Sequence, residues 1–240
     1  MAKNYMLLYG KKSINERLEV NPESIRKIFL ADDFNNPHIQ MLIKTEGITL
    51  ERLAADKIEN MKRTKNVQGI IARVDRFVYA DLDDLLKENS NITPVFLDRV
   101  SDPQNLGVII RTLACLGGFC VVIPEKEACH ITEAVIHVAS GGENYVQVSK
   151  VPDMAKAIST AKKRGFFILG AVIDESAKDI STLKLKFPLA LVLGSEAAGI
   201  TPEIQKILDE KSCIPMQGAK LTLNVNTACT IFCHEIIRQR

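Results

Sequence analysis

No apolar run in this 240-residue chain approaches the ~20 residues a helix needs to cross a bilayer. Near the amino end the short apolar stretch Met6–Tyr9 stops at Gly10-Lys11-Lys12, well under the ~7–15 residues of a secretion-signal core. A cytoplasmic protein with no membrane association is expected. The cysteines Cys115, Cys120, Cys129, Cys213, Cys229 and Cys233 never fall in Cys-x-x-Cys spacing. Cys229 and Cys233 lie one turn apart on an apolar helical stretch, so reduced core thiols are expected rather than disulfides. None of His38, His130, His137 or His234 pairs with a cysteine at zinc-like spacing, and no metal is expected. Asn91-Ile92-Thr93 matches a glycosylation sequon, which without export is a chance match.

A marked excess of charge of one sign is also missing. Lysine and arginine number 31 against 29 aspartate and glutamate, a net +2 with a pI near 8.2. That is no strong nucleic-acid footprint, so any RNA contact must come from a local patch. The best patch spans residues 57–76, where Lys57, Lys62, Arg63, Lys65, Arg73 and Arg76 stand against Glu59 and Asp75. A plain solvated basic face explains it equally well. Nothing resembles Gly-x-Gly-x-x-Gly, which leaves a dinucleotide fold without support. No Ser-His-Asp or Cys-His constellation presents itself, and His234 reads as a packing or surface residue.

What the chain does have is alternation. In the first part, Ser13 reads as the N-cap of a helix with Glu16 completing a capping box. Residues 25–31 read as a strand, 37–46 as a helix stopped by Gly47, and 48–53 and 69–74 as strands. This compact α/β unit ends near residue 75. An acidic segment, 81–91, with one short amphipathic helix leads to Pro94 and marks a boundary. In the second part, strands are expected at 95–98, 119–123, 166–172, 189–193 and 213–215, with a weaker one at 145–148. Helices fall between them at 106–116, 132–139, 154–164, 202–208 and 225–238. Short, continuously apolar strands alternating with helices indicate a mostly parallel sheet covered on both faces. Ligands bind beyond the carboxyl ends of such strands.

Three polar loops follow predicted strands. The first carries Asn105 and Arg111, six residues apart and so only loosely on one helical face. An arginine this close to a strand end suits a phosphate. The second, Gly194-Ser195-Glu196-Ala197-Ala198-Gly199-Ile200, invites comparison with a nucleotide P-loop. The comparison fails, because Ile200 stands where the lysine belongs and Glu196 would repel phosphate. An uncharged or cationic ligand fits better. Thr201 as N-cap with Pro202 at N1 accounts for the helix start that follows. The third loop runs from Ile214 to Val225, where a strand stops at Pro215 and a helix opens on hydroxyl and amide side chains.

Together the loops resemble the three motifs of the SpoU (TrmH) branch of the SPOUT methyltransferases. The matches are Asn105-x-Gly107-x-x-x-Arg111-Thr112, Leu193-Gly194-x-Glu196-x-x-Gly199, and Ile214-Pro215-Met216-x-Gly218-x-x-x-Thr222-Leu223-Asn224-Val225. Leu8-Tyr9-Gly10 and Gln68-Gly69-Ile70-Ile71-Ala72 look like the start and end of the family's small substrate-binding domain. The resemblance implies residues 1–76 as an RNA-binding domain, 77–93 as a linker and 94–240 as a catalytic domain with a carboxyl-terminal trefoil knot. It implies S-adenosylmethionine as methyl donor, an RNA ribose 2′-hydroxyl as acceptor (a guanosine of large-subunit, 23S, rRNA in the nearest branch), and a homodimer. Carried over, Gly194, Ile214, Met216 and Leu223 hold the cofactor. Asn105, Arg111, Glu196, Thr222 and Asn224 surround the reaction. The basic patch of residues 57–76 is then expected to dock RNA, through Lys62, Arg63, Lys65 and Arg73. The chain departs from the motif at Thr222 and at Asn226-Thr227, where serine and Ser-Val are usual. A tRNA substrate, and a non-catalytic RNA-binding or ribosome-assembly factor, stay open as rivals.

Overall fold

The structure, a computed structural model, describes residues 4–62, 65–87, 91–174, 177–219 and 221–240. In the first lobe the apolar strand β1 (Met6–Tyr9) turns directly into helix α1 (Lys11–Val20). Gly10, at φ +90°, makes that turn in a conformation that side-chain-bearing residues rarely adopt. The helix therefore begins earlier than its polar residues suggest. Ser13 is buried inside the helix instead of capping it, and the expected capping box with Glu16 does not form.

Strand β2 (Ile25–Ala31) and helix α2 (Pro37–Thr45) follow as expected, with the Asn36 side chain accepting the Ile39 N–H at 3.1 Å. Beyond them come β3 (Leu50–Leu53), an unforeseen helix α3 (Ala55–Lys62) and β4 (Ile70–Val74). The strands form one sheet in the order β1-β4-β2-β3, with only β2 and β3 parallel.

The second lobe follows a short helix, α4 (Leu82–Leu85). Its elements are β5 (Thr93–Asp98), α5 (Pro103–Leu116), β6 (Phe119–Pro124), α6 (Glu133–Ala139), β7 (Val148–Val151), α7 (Met154–Lys163) and β8 (Phe167–Ala171). After these come β9 (Lys178–Asp179), β10 (Leu189–Gly194), α8 (Pro202–Gln205), β11 (Glu210–Cys213) and α9 (Val225–Gln239). The sheet order is β7-β6-β5-β10-β8-β11-β9, and every pair is parallel. Strands β5 and β6 are buried along their whole length, as the apolar runs require.

Two strands lie off their expected places. Strand β11 is Glu210–Cys213, so Ile214 and Pro215 already belong to the loop. Its register with β8, Glu210 opposite Leu169 and Ser212 opposite Ala171, is carried by polar residues that an apolar-run criterion passes over. Ser212 is buried and donates its hydroxyl to the Lys178 carbonyl at 2.8 Å. Strand β7 begins at Val148, because residues 142–144 form a 3-10 turn ahead of Tyr145. Helix α8 stops at Gln205. Among the described residues no helix is long and apolar enough to cross a membrane.

Candidate active site

Because the strands are parallel, β5, β10 and β11 deliver their following loops to one edge of the sheet. Strand β10 ends at Gly194, opposite Asp98 at the end of β5. The chain then folds back so tightly that a Cβ on Gly194 would lie 2.0 Å from the carbonyl carbon of Gly199. The Gly199 N–H donates to the Ser195 carbonyl at 2.8 Å. Asp98, buried, stitches this turn to β5, its Oδ2 accepting the Thr201 N–H at 2.7 Å. Pro202 takes N1 of α8 as expected, but the Thr201 side chain makes no cap hydrogen bond.

Helix α5 starts at Pro103, capped by Asp102, whose Oδ1 accepts the Gln104 N–H at 2.9 Å. That start puts Asn105 in the first turn, where it is buried. Its amide joins all three loops. Asn105 Nδ2 donates to Glu196 Oε1 at 2.9 Å, and Asn105 Oδ1 accepts from Asn226 Nδ2 at 2.8 Å. Asn226 stands in the first turn of α9, next to the cap residue Asn224, whose Oδ1 accepts the Asn226 N–H at 2.9 Å. Asn224 thus has a helix-capping role that its polarity at a helix start signals. Asn226 escapes a reading by motif, where it counts only as a departure from the usual residue.

Beside this network lies a cleft of about 690 Å³, within the range of small-molecule sites. Gly194, Glu196, Ile214, Met216, Thr222 and Leu223 all line it. Met216 and Leu223 are 45% and 37% exposed, apolar surface turned toward the opening rather than into the core. Two carboxylates, Asp174 and Glu196, line the cleft, and among the described residues no lysine or arginine does. The Asp174 carboxylate lies 3.6 Å from Lys211 Nζ. Such walls disfavour a polyphosphate and suit an apolar ring joined to a cationic group.

Arg111 lies elsewhere. Six residues beyond Asn105 on α5, it projects about 120° away from Asn105 around the helix axis, is exposed, and does not line the cleft. Its backbone abuts the 3-10 turn of residues 142–144, where a Cβ on Gly142 would stand 3.0 Å from the Arg111 Cα.

The same turn receives the first lobe. Glu143 Oε1 meets the Arg17 guanidinium at 2.9 Å, with both side chains withdrawn from solvent. Its Oε2 accepts the Gly141 N–H at 3.1 Å. Tyr9 stacks on His137 with ring centroids 3.9 Å apart. The Tyr145 hydroxyl donates to Glu16, and that carboxylate pushes the phenol up to about 12.

The expected RNA-facing residues are less uniform than the sequence suggests. Lys62 pairs with Glu133 and lies over the Tyr9 ring, at the junction of the lobes. The Arg73 guanidinium lies 5.0 Å from both the Tyr5 and Phe29 ring centroids. Lys65 opens a short 3-10 turn, and Arg63 lies outside the described residues. No group of histidine, cysteine, aspartate or glutamate among the described residues is arranged to hold a metal ion.

Comparison with known proteins agrees with this geometry. Residues 93–234 match the family model described as the SpoU rRNA Methylase family, and residues 7–80 match one described as RNA 2′-O ribose methyltransferase substrate binding. A Bacillus subtilis protein named for the TrmH family of tRNA/rRNA methyltransferases, YacO, is 32% identical over 100% of this chain and 98% of its own. The 23S rRNA (guanosine-2′-O-)-methyltransferase RlmB of Acinetobacter baylyi is 30% identical over 97% of this chain and 96% of its own. The SpoU methyltransferase AviRb of Streptomyces viridochromogenes, solved in complex with AdoMet, shares the fold at a TM-score of 0.82 and 22% identity, over 99% of this chain and 91% of that one. By the extent of the catalytic-lobe match and the full-length likeness to its relatives, the chain belongs to the SpoU rRNA methylase family.

Proposed function

We propose that this protein is an S-adenosylmethionine-dependent RNA ribose 2′-O-methyltransferase acting on a guanosine of 23S rRNA in the cytoplasm. The observation that carries the reading is the cleft itself, with apolar walls, no basic lining among the described residues, and a carboxylate held at its edge by Asn105. Gly194, Ile214, Met216 and Leu223 would hold the cofactor, with the 194–200 turn supplying backbone groups. When bound, S-adenosylmethionine supplies a methyl group on a positively charged sulfur, which needs no metal to leave.

The chain's own residues do the rest. Asn105 occupies Oε1 of Glu196 and leaves Oε2 to accept the hydrogen of the attacking ribose hydroxyl. Arginine holds its proton too tightly for that task. Arg111, facing solvent, binds the neighbouring phosphate and so fixes the ribose. Thr222 also lines the cleft. Much of the rate then comes from holding hydroxyl and methyl in line.

Residues 1–76 serve as the RNA-binding domain, 77–93 as the linker and 94–240 as the catalytic domain, a division supported by the two separate sheets. The trefoil knot is supported by β9, which lies beyond β11 in the sheet, and by residues 180–188, which lead from it back to β10. Gln239 of α9 is hydrogen-bonded to Leu183 and Leu185 on that path, each at 2.9 Å. The homodimer is supported by Ile231 and Ile237, each 37% exposed on α9.

Methyl transfer from labelled cofactor to 23S rRNA lacking its modifications, followed by mapping of the labelled ribose, tests the reading. Transfer to tRNA instead would move the substrate, and cofactor binding without transfer would leave a binding factor. Arg111→Ala should cut turnover at least ~100-fold and leave cofactor affinity unchanged, since Arg111 is outside the cleft. Near-normal turnover would remove Arg111 from the mechanism. Replacing Lys62, Arg63 and Lys65 together with alanine should weaken RNA binding and flatten its salt dependence. Unchanged affinity would remove that segment from RNA binding.

A further inference from the structure

We infer that Asn226 is a positioning residue for methyl transfer, one that supplies the donor holding the Asn105 amide in the orientation that points its own donor at Glu196. The inference rests on the catalytic reading above and goes past it to a residue that the family motif does not assign. An asparagine amide can sit in two orientations that exchange a donor for an acceptor. Asn105 is buried, so water cannot compensate for the wrong one. On one side it faces the Glu196 carboxylate, which only accepts. On the other it faces Asn226 Nδ2, which only donates. Among the described residues no other hydrogen bond reaches the Asn105 amide.

The Asn226 backbone is anchored on both sides, and its amide oxygen meets the Thr227 hydroxyl. Its N–H donates to Asn224 Oδ1 at 2.9 Å, its Oδ1 accepts the Thr227 hydroxyl at 3.2 Å, and its carbonyl accepts the Thr230 hydroxyl at 2.8 Å. Because Glu196 only accepts, the donors run one way, from Thr227 to Asn226 to Asn105 to Glu196. The chain ends on Oε1, which fixes the carboxylate and leaves Oε2 toward the ribose. Reversing one link reverses the polarity of everything after it.

Asn226→Asp makes that reversal with almost no change in size. The Asn105 amide would then lie between two carboxylates, and either orientation sets its carbonyl oxygen against one of them. Glu196 loses its fixed position. Asn226→Ser keeps a donor on a shorter arm. Glu196→Gln alone leaves an acceptor for Asn105, and in Asn226→Asp with Glu196→Gln the glutamine can donate to a flipped Asn105.

The experiment measures methyl transfer to unmodified rRNA, S-adenosylmethionine affinity by calorimetry and melting temperature for these variants. Asn226→Asp should lower kcat by about 10²-fold, with KM for RNA and cofactor affinity little changed. Asn226→Ser should keep most of the turnover. Asn226→Asp should melt about 2–4 °C lower, Glu196→Gln should melt as the parent, and the double variant should recover the loss. Recovery by a residue that Asn226 does not touch identifies Asn105 as the link. Full turnover in Asn226→Asp, or a melting loss that Glu196→Gln does not recover, would reduce Asn226 to a helix-start residue and overturn the inference. The melting arm needs no methyl transfer. A parent protein that transfers none therefore overturns the catalytic reading alone, while the recovery still decides whether Asn226 orients Asn105.

Discussion

Gly194→Ala should remove cofactor binding and cost about 1–3 kcal/mol of stability or more. The new Cβ would stand 2.0 Å from the Gly199 carbonyl carbon and 2.2 Å from the Ile200 nitrogen. Both neighbours are backbone, so no side chain can swing aside. The turn must open, and its opening undoes the Gly199 to Ser195 hydrogen bond and pulls on the Asp98 to Thr201 link. Glu196 sits within the displaced segment, so the Asn105 contact is lost with it. Calorimetric titration with S-adenosylmethionine and a thermal melt read the two effects separately. Parental affinity in Gly194→Ala would show that the turn does not shape the cofactor site. A cofactor loss in a protein that melts normally would show an effect confined to the cleft.

Glu143→Ala should destabilise the protein by about 3–5 kcal/mol, the usual cost of breaking a buried pair by removing one partner. Both side chains of the Arg17–Glu143 pair are nearly free of solvent. Removing the carboxylate leaves the Arg17 guanidinium charged in place, with one remaining bond to Ser24 Oγ at 3.1 Å. Its Nε already has no partner. The Gly141 N–H loses its acceptor as well. Urea unfolding of Glu143→Ala beside Glu143→Gln measures the loss, and the glutamine variant, which can still accept, should fare better. A loss below about 1 kcal/mol would put the pair among solvated surface ion pairs.

The parts of the fold legible in sequence are those where one physical signal dominates. Buried parallel strands such as Phe119–Pro124 read as apolar runs, and Gly47 reads as a helix stop because φ +63° favours glycine. Strand β11 misleads because its residues are polar and its pairing is supplied by distant β8 and β9. Helix α1 misleads because Gly10 starts it without a polar cap. In the candidate site, the loops and Asn105, Glu196 and Gly194 are legible by motif. The partner that orients Asn105 is not, because Asn226 lies 121 residues away and its role is only a direction of donation. The Arg17–Glu143 pair, 126 residues apart, leaves no local trace at all.

One consequence follows from the turn of residues 142–144, which is pressed on one side by Arg111's helix and gripped on the other by Arg17. The first lobe cannot tilt against the second without stripping a buried charge of its partner. On the catalytic reading, the two lobes then act as a caliper of fixed opening. An RNA is accepted only if the feature it offers to the first lobe and the ribose it offers to the cleft are already spaced to match. Selection among RNAs would thus be made by measuring a length, before any base is read.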